Sequence, residues 1–575
     1  MIKKSLYLIL CLGIFGLMQT FAQTPILKTK DYPVGYFRNP LDIPPQASGT
    51  FGELRSTHFH AGDDYRTQQK TGLPLYAVAD GFVSRVRVQN GGGGLSVYLD
   101  HPNGYTSVYL HMLSFMPSLE KIVRTEQYKQ RRHDVDISLS ATQVQVKKGD
   151  RIGLAGNTGS SQGPHLHFEI RETKTQHPIN TQLFGLKFPD RVKPIIQGIT
   201  LFDLGSHVFS EHTPRRHLAV KLNQNGQYEL NPSHVVPVNG PFGVGIQAID
   251  RHDGTTFNNG VYSIQLQLDG KEVSTVLFEK LDFETSSAIH SYIDYPSFIL
   301  RNVKIQKSFK DPNHPSGVYH QLQNQGIIHL ADQEIHTLTY IVRDVHGNTS
   351  QLSFKIQQKA DYEPKRPNIA GLQWFEYDKD NQYSNDHIKI EVPKNALYER
   401  LYFTYSQGPQ PAKGYSPTHH IHNRMTPLFK PYSLSIKADL LPSHLQDKAL
   451  LVNDRGGSIG GSYKEGFIVT ETKQFGSFHI RVDTVAPKIQ SLQLTNGKNL
   501  AGVSKISFKI TDDLSGIHSF NAYINDEWVL MQYDPKTATI WHVFEQELSK
   551  GKHQFRLEVL DGKLNKQEFT ASFTR

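Results

Sequence analysis

Apolar and polar residues alternate with a period of two along most of this chain, and helical periodicity is scarce. The runs "LPLYAVADGFVSRVRV" (73–88), "LSVYLDH" (95–101), "YTSVYLHM" (105–112) and "HLHFEIR" (165–171) alternate or stay apolar. They are rich in β-branched and aromatic residues and are punctuated by Gly, Asn, Asp and Pro. Such runs fold as strands buried on one or both faces. Residues 116–133, "MPSLEKIVRTEQYKQRRH", are the main candidate for a helix or insertion. The expected fold class is therefore all-β, built from several sandwiches or barrels. A chain of 575 residues has room for about three to five domains.

The N-terminus predicts export. "MIKKSLYLILCLGIFGLMQTFAQ" has Lys3 and Lys4, an apolar run from Leu6 to Met18, and a small-residue cleavage site at Ala22. This pattern reads as a signal peptide over residues 1–22, and its apolar run is too short to span a bilayer. The mature chain is expected to have no transmembrane segment. It would work in the periplasm, at the outer membrane or outside the cell. Losing Lys3 and Lys4 lowers the formal charge of +8 by two. The remaining surplus suits an anionic envelope polymer or membrane surface and is too diffuse for a nucleic-acid binder. The single cysteine, Cys11, lies inside the signal. That excludes disulfides, a cysteine zinc site and a thiol nucleophile from the mature chain. Leu10 stands where a lipidated cysteine needs a small residue before it, which argues against a lipoprotein.

An internal repeat divides the remainder. "GVYSIQLQLDGKEV" (260–273) aligns without gaps on "GIHSFNAYINDEWV" (516–529). Upstream, "DRVKPII" (190–196) matches "DTVAPKI" (483–489). Downstream, Asp344 and Asn348 correspond to Asp561 and Asn565. Each copy opens on an Asp-x-x-x-Pro linker and is expected to close on an edge strand and turn. The pattern resembles the immunoglobulin-like modules of secreted bacterial proteins. It implies β-sandwiches over 190–358 and 483–575, with a β-rich middle domain over 359–482 opening near "RPNI" (366–369). These modules read first as spacers or scaffold, and second as binders of wall polymer or envelope proteins.

Chemistry concentrates in the N-terminal third. "HFHAGDDYR" (58–66) contains His60 and Asp64 as a His-x-x-x-Asp pair. In "GPHLHFEI" (163–170), strand alternation sends His165 and His167 to one face. A catalytic zinc takes three protein ligands and keeps one position open. His60 and Asp64 supply two, and one histidine of the later pair supplies the third, with its neighbour alongside. His111 adds another imidazole from an apolar strand. Either short motif alone is weak in a chain with 28 histidines.

The surrounding words sharpen the signal. "HAGDDY", "GLPLYAVADGFV", "GGGGLSVYLDHPNGYTSVYLHM" and "KKGDRIGLAGNTGSSQGPHLHFEIR" follow one another in this order. In them, residues 55–171 resemble the catalytic domain of the M23 (lysostaphin/LytM-type) zinc metallopeptidases. The resemblance implies a peptidase domain over 24–189 with Zn2+ as cofactor. It makes His60, Asp64 and His167 the zinc ligands, and His111 and His165 the non-ligand catalytic histidines. One of these would exchange a proton with the attacking water and the other would bind the oxyanion, with the assignment open. The implied reaction is hydrolysis of peptide cross-links in bacterial peptidoglycan. The rival readings are an idle or autoinhibited activator of other wall hydrolases, and a scaffold or adhesin acting through its immunoglobulin-like modules.

The sequence departs from that family at Asp63, where an aliphatic residue is usual; alternation should turn it away from the metal. His58 is expected in a supporting or surface role. The insertion at 114–146 would either border the groove or form a surface loop. "NGGGG" (90–94) reads as a tight turn rather than a phosphate loop, "KKGD" (147–150) as a surface turn, and "RNVKIQKSFK" (301–310) as a solvated strand edge. Ser160 and Ser161 are candidates for substrate contact.

Overall fold

The computed structural model describes residues 26–205, 211–315, 317–364, 373–544 and 548–575. The signal segment and the opening at 366–369 lie outside the described residues. Among these residues strands dominate, and the chain is all-β. No helix among them is long and apolar enough to cross a membrane.

The N-terminal sheet is built on five strands: β1 (Asp63–Arg66), β2 (Gly81–Val88), β3 (Leu95–Asp100), β4 (Tyr105–Phe115) and β5 (His165–Glu172). They lie antiparallel in the order β1-β5-β4-β3-β2. On β5, Leu166, Phe168 and Ile170 point into the core with Val83, Val97, Leu99 and Tyr109. The residues between them face the opposite side, as a period of two requires. The inserted segment forms helix α1 (Pro117–Gln130), with proline in the first turn and Arg131 in the left-handed conformation at its end. Leu119, Val123 and Gln127 form its buried stripe. The insertion also returns strand Val135–Ser138 to pair with β2.

Three further large apolar cores follow among the described residues. One gathers Ile199, Val244, Ile264 and Tyr340, the next runs from Phe375 to Ile480, and the last from Leu494 to Phe573. The region 373–482 has two five-stranded sheets, and the C-terminal region packs a four-stranded sheet on a five-stranded one.

The first two cores interlock. Phe51 and Phe59 belong to the second core, whereas Tyr262, Leu277 and Val345 belong to the first. The Phe59 ring lies 5.8 Å from Phe278 and 5.6 Å from Tyr292. Burying such a side chain stabilises by about 1.5–3 kcal/mol. Beside it the Glu279 carboxylate accepts from Thr29 N at 2.7 Å and from the Tyr32 hydroxyl at 2.6 Å.

The repeat landmarks are tied to one another in space. Asn348 Nδ2 donates to Asp344 Oδ2 at 2.7 Å, and Asn565 Nδ2 donates to Asp561 Oδ2 at the same distance. The same amides reach the carbonyls of Asp190 and Asp483, at 3.4 and 3.0 Å. In each copy the closing turn clasps the opening linker.

Two expectations need correction. The strand that closes the first copy, Thr349–Gln358, is not an edge: Val236–Val238 pairs with it in parallel on its second side. The segment 301–310 is not a solvated edge either. Gln306, Lys307 and Ser308 are buried, and Lys307 Nζ pairs with Asp311 Oδ1 at 2.5 Å. Asp311, four positions after Lys307 and itself buried, supplies the neutralising charge that a sequence reading assigned to solvent.

Candidate metal centre

Register brings the two distant motifs together. In the antiparallel pairing of β1 and β5, His167 stands opposite Asp64 and His165 opposite Arg66. Directly opposed residues project to the same face. His60 reaches the same point from the turn before β1. That turn is fixed by exchange between His60 and its neighbours: His60 N donates to Glu53 O, and Gly52 N donates to His60 O, both at 2.9 Å.

Three ligand atoms converge. His60 Nε2 lies 2.9 Å from His167 Nδ1 and 3.1 Å from Asp64 Oδ1, and His167 Nδ1 lies 3.0 Å from Asp64 Oδ1. These spacings are slightly inside the edge of about 3.3 Å expected for a tetrahedron with bonds of ~2.0–2.1 Å. All three residues are buried. The opposite ring nitrogens are committed elsewhere. His60 Nδ1 donates to the Thr50 carbonyl at 2.9 Å, and His167 Nε2 donates to Glu169 Oε1 at 2.8 Å. Glu169 is in turn held by Arg171 Nε at 2.5 Å. Each imidazole therefore turns its other nitrogen toward the shared point, the arrangement that outer partners impose on metal-binding histidines. Asp64 Oδ2 accepts from Arg55 at 2.6 Å, leaving Oδ1 for the centre. The donor set and its spacing fit a divalent cation such as zinc.

The electrostatics agree. Burial lowers the His60 imidazole to about 4, so it stays neutral. Burial opposes ionisation of Asp64, but the surrounding imidazoles hold its carboxyl well below the usual range. Burial also acts to lower His167, yet the Asp64 and Glu169 carboxylates outweigh it and raise the ring to about 9. A metal ion bound at this point would displace any proton from His167 Nδ1.

His111 and His165 stand beside this centre. Their rings are 4.8 Å apart, and His165 Nε2 lies 3.4 Å from Asp64 Oδ1. His111 Nδ1 donates to Thr158 O and His165 Nδ1 to Gly163 O, both at 2.9 Å. Both therefore carry their free nitrogen at Nε2. Burial lowers His111 to about 3, which keeps it unprotonated. His111 adopts a φ of 61°, unusual for a side-chain-bearing residue, where β4 shifts register against its neighbours. Its backbone N–H is held by Gly93 O at 2.8 Å.

The other candidates fall outside the centre. Asp63 points away, accepting from Phe51 N at 3.0 Å and from the Thr181 hydroxyl; burial pushes its carboxyl up to about 7. His58 is exposed and bonded to Thr57. Ser161 Oγ reaches His165 Nδ1 at 3.1 Å and Gly163 O at 2.7 Å. Ser160 Oγ accepts from Gly92 N at 2.9 Å, and Thr158 Oγ1 from Leu95 N at 2.9 Å, so the glycine turn at 90–94 is laced to the loop before His165. Gly62 is required by close approach: a Cβ there would meet Phe168 O at 2.3 Å and His167 Nε2 at 2.9 Å. Sequence reasoning missed Glu169. Its signal was present, since residues 165, 167, 169 and 171 share one face of a strand.

The pattern of peptidase family M23 matches residues 58–128 and 130–181, and that of the Zu5-like domain matches residues 372–483. A Haemophilus influenzae protein named an uncharacterized metalloprotease is 35% identical over 161 residues, covering 26% of this chain and 28% of that protein. The DD-carboxypeptidase/endopeptidase Mpg of Neisseria meningitidis is 29% identical over 167 residues, 29% of each chain. The peptidoglycan DD-endopeptidase ShyC of Vibrio cholerae is 31% identical over 143 residues, 24% of this chain and 26% of that one. The similarity thus spans less than a third of the length of these relatives. Within that span the candidate centre and the family pattern coincide, and residues 58–181 form a domain of peptidase family M23.

Proposed function

We propose that this protein is an exported zinc endopeptidase that hydrolyses peptide cross-links of bacterial peptidoglycan. The observation that carries the reading is the convergence of His60 Nε2, Asp64 Oδ1 and His167 Nδ1 at 2.9–3.1 Å, with each imidazole's other nitrogen already bonded. Zinc held there would polarise the scissile carbonyl and acidify water at the reaction point. His111, kept neutral by burial, and His165 present their Nε2 atoms to the same space, one to take the proton from the attacking water and return it to the leaving amine. The other, once protonated, donates a hydrogen bond to the oxyanion. The loops at 90–94 and 156–163 are tied together beside these histidines and would form one border of the substrate site. The substrate class is supported by the names of the Neisseria and Vibrio relatives. Export is supported by the N-terminal signal pattern.

The test compares the purified full chain with His60→Ala for zinc content and for release of muropeptides from peptidoglycan sacculi. The wild type should hold a zinc ion that the variant lacks, and only the wild type should release cross-linked peptides. A wild type that holds no more zinc than His60→Ala would refute the ligand assignment. Zinc bound at this centre without any peptide release would instead refute the substrate or an open groove.

A further inference from the structure

A second cluster of metal-type side chains lies where the N-terminal sheet meets the first sandwich. Asp190, Asp250 and His252 offer ligand atoms within 4.8 Å of one another, and so do Asp190, Asp344 and His346. Asp190 is common to both sets, so the two triads adjoin through its carboxylate. Bonds of ~2.0–2.4 Å from a central cation would span such separations.

Several atoms in this cluster are buried and lack partners. Asp190 is 7% exposed, Asp250 1% and His252 4%. Asp190 Oδ1 accepts from Val192 N at 2.9 Å, but Oδ2 has no hydrogen-bond partner. That oxygen faces His252 Nε2 and His346 Nδ1, each at 3.8 Å, too far for a hydrogen bond. Asp250 Oδ1 and the Nδ1 atoms of both histidines are likewise unpartnered. Buried polar atoms left in this state cost free energy unless a proton, water or ion joins them.

The repeat provides an internal comparison. Asp483, Asp512 and Asp561 occupy the equivalent positions in the C-terminal copy. There the carboxylates are satisfied locally. Ser515 N donates to Asp483 Oδ2 at 3.0 Å, and Gly516 N donates to Asp512 Oδ2 at 2.8 Å. Leu514 and Lys563 stand where the first copy has His252 and His346. Asp344 is bonded as Asp561 is, so the copies differ at Asp190 and Asp250, whose orphaned oxygens occur in the copy that carries the imidazoles.

We propose that Asp190, Asp250, Asp344, His252 and His346 form a second divalent-cation site, which fastens the first sandwich to the M23 domain. Mixed nitrogen and oxygen donors select a cation of the zinc or manganese type over calcium or magnesium. The position suits a fastening role. His252 stacks on Phe188 at 5.7 Å, and Phe188 lies 4.8 Å from Tyr65, the neighbour of Asp64.

The test strips the purified full chain with a chelator, reloads it with zinc chloride, removes excess metal and counts zinc by mass spectrometry. The wild type should retain about two equivalents, one for each independent centre. Asp250→Asn and His252→Gln should each retain one, as should His60→Ala, and His60→Ala combined with Asp250→Asn should retain none. Chelation should lower the Tm of His60→Ala, which keeps only the second site, and leave the Tm of the doubly substituted chain unchanged. If His60→Ala binds no zinc, or if Asp250→Asn and His252→Gln lose none, the second site is refuted and the cluster is a proton-sharing acid pair with buried histidines. The two centres fail separately, because His60→Ala probes only the first. Anomalous scattering at the zinc edge from crystals of the wild type would locate the second ion without any substitution.

Discussion

The roles of the histidines are set by what each ring does with the nitrogen that faces away from the centre. Thr50, Thr158 and Gly163 offer backbone carbonyls, while Glu169 offers a carboxylate. Glu169 is fully buried, and its charge is maintained against burial by Arg171 and His167, which bring it down to about 2. It makes His167 more electron-rich and fixes its orientation. Glu169→Gln keeps the shape and removes the charge, so zinc affinity at this centre should fall by ~10–100-fold. Competition against a chromogenic chelator measures this; an unchanged affinity would reduce Glu169 to a packing role.

At the scale of elements, contacts between neighbouring modules depend on single buried charges. Glu211, in the first sandwich, accepts from Asn423 Nδ2 at 2.8 Å and from the Thr426 hydroxyl at 2.9 Å, and lies 3.2 Å from His422 Nε2. Burial works against its ionisation, but His422 and Asn423 hold the carboxyl down at about 2. A carboxyl depressed in the folded state stabilises fully above its unfolded value near 4.5 and loses that contribution as pH falls toward 2. The shift corresponds to roughly 3 kcal/mol at neutral pH. Urea unfolding of the full chain and of Glu211→Gln should therefore differ most above pH 5 and converge near pH 2. Curves separated equally at every pH would show that the charge at Glu211 is not what matters.

Across the whole molecule, the chain folds back on itself. Trp528, from the C-terminal sandwich, packs edge-on against Tyr128 of α1 at 5.5 Å, and Lys536 Nζ donates to the carbonyl of Asn157. The first contact falls on the insertion, and the second on the loop that leads into His165, next to Thr158, whose carbonyl holds His111. The C-terminal module thus touches a loop that adjoins the proposed site. An aromatic pair of this kind contributes ~0.5–1.5 kcal/mol. Releasing it with Trp528→Ala should raise the initial rate on sacculi by ~2–10-fold if the module limits access. The rate on a short soluble peptide, which needs less room, should change less. Equal rates for wild type and variant on both substrates would remove the module from control of access.

The sequence by itself determined the all-β class, because a period of two is a local property that burial on a sheet enforces residue by residue. It also marked His60, Asp64, His111, His165 and His167, whose neighbouring words are distinctive, and offered residues 116–133 as a candidate for a helix or insertion. Tertiary structure alone decided which atoms of those residues meet. The opposition of His167 and Asp64 is a matter of strand register, and the outward bonds to Thr50 and Thr158 join segments with no shared pattern. The same holds for Asp190, Asp250 and Asp344, which the repeat made visible in part as linker and turn landmarks. Their convergence with His252 and His346 arises only when the closing turn is clasped onto the opening linker. Contacts of this kind depend on packing between distant segments, and packing leaves no periodic trace in the order of residues.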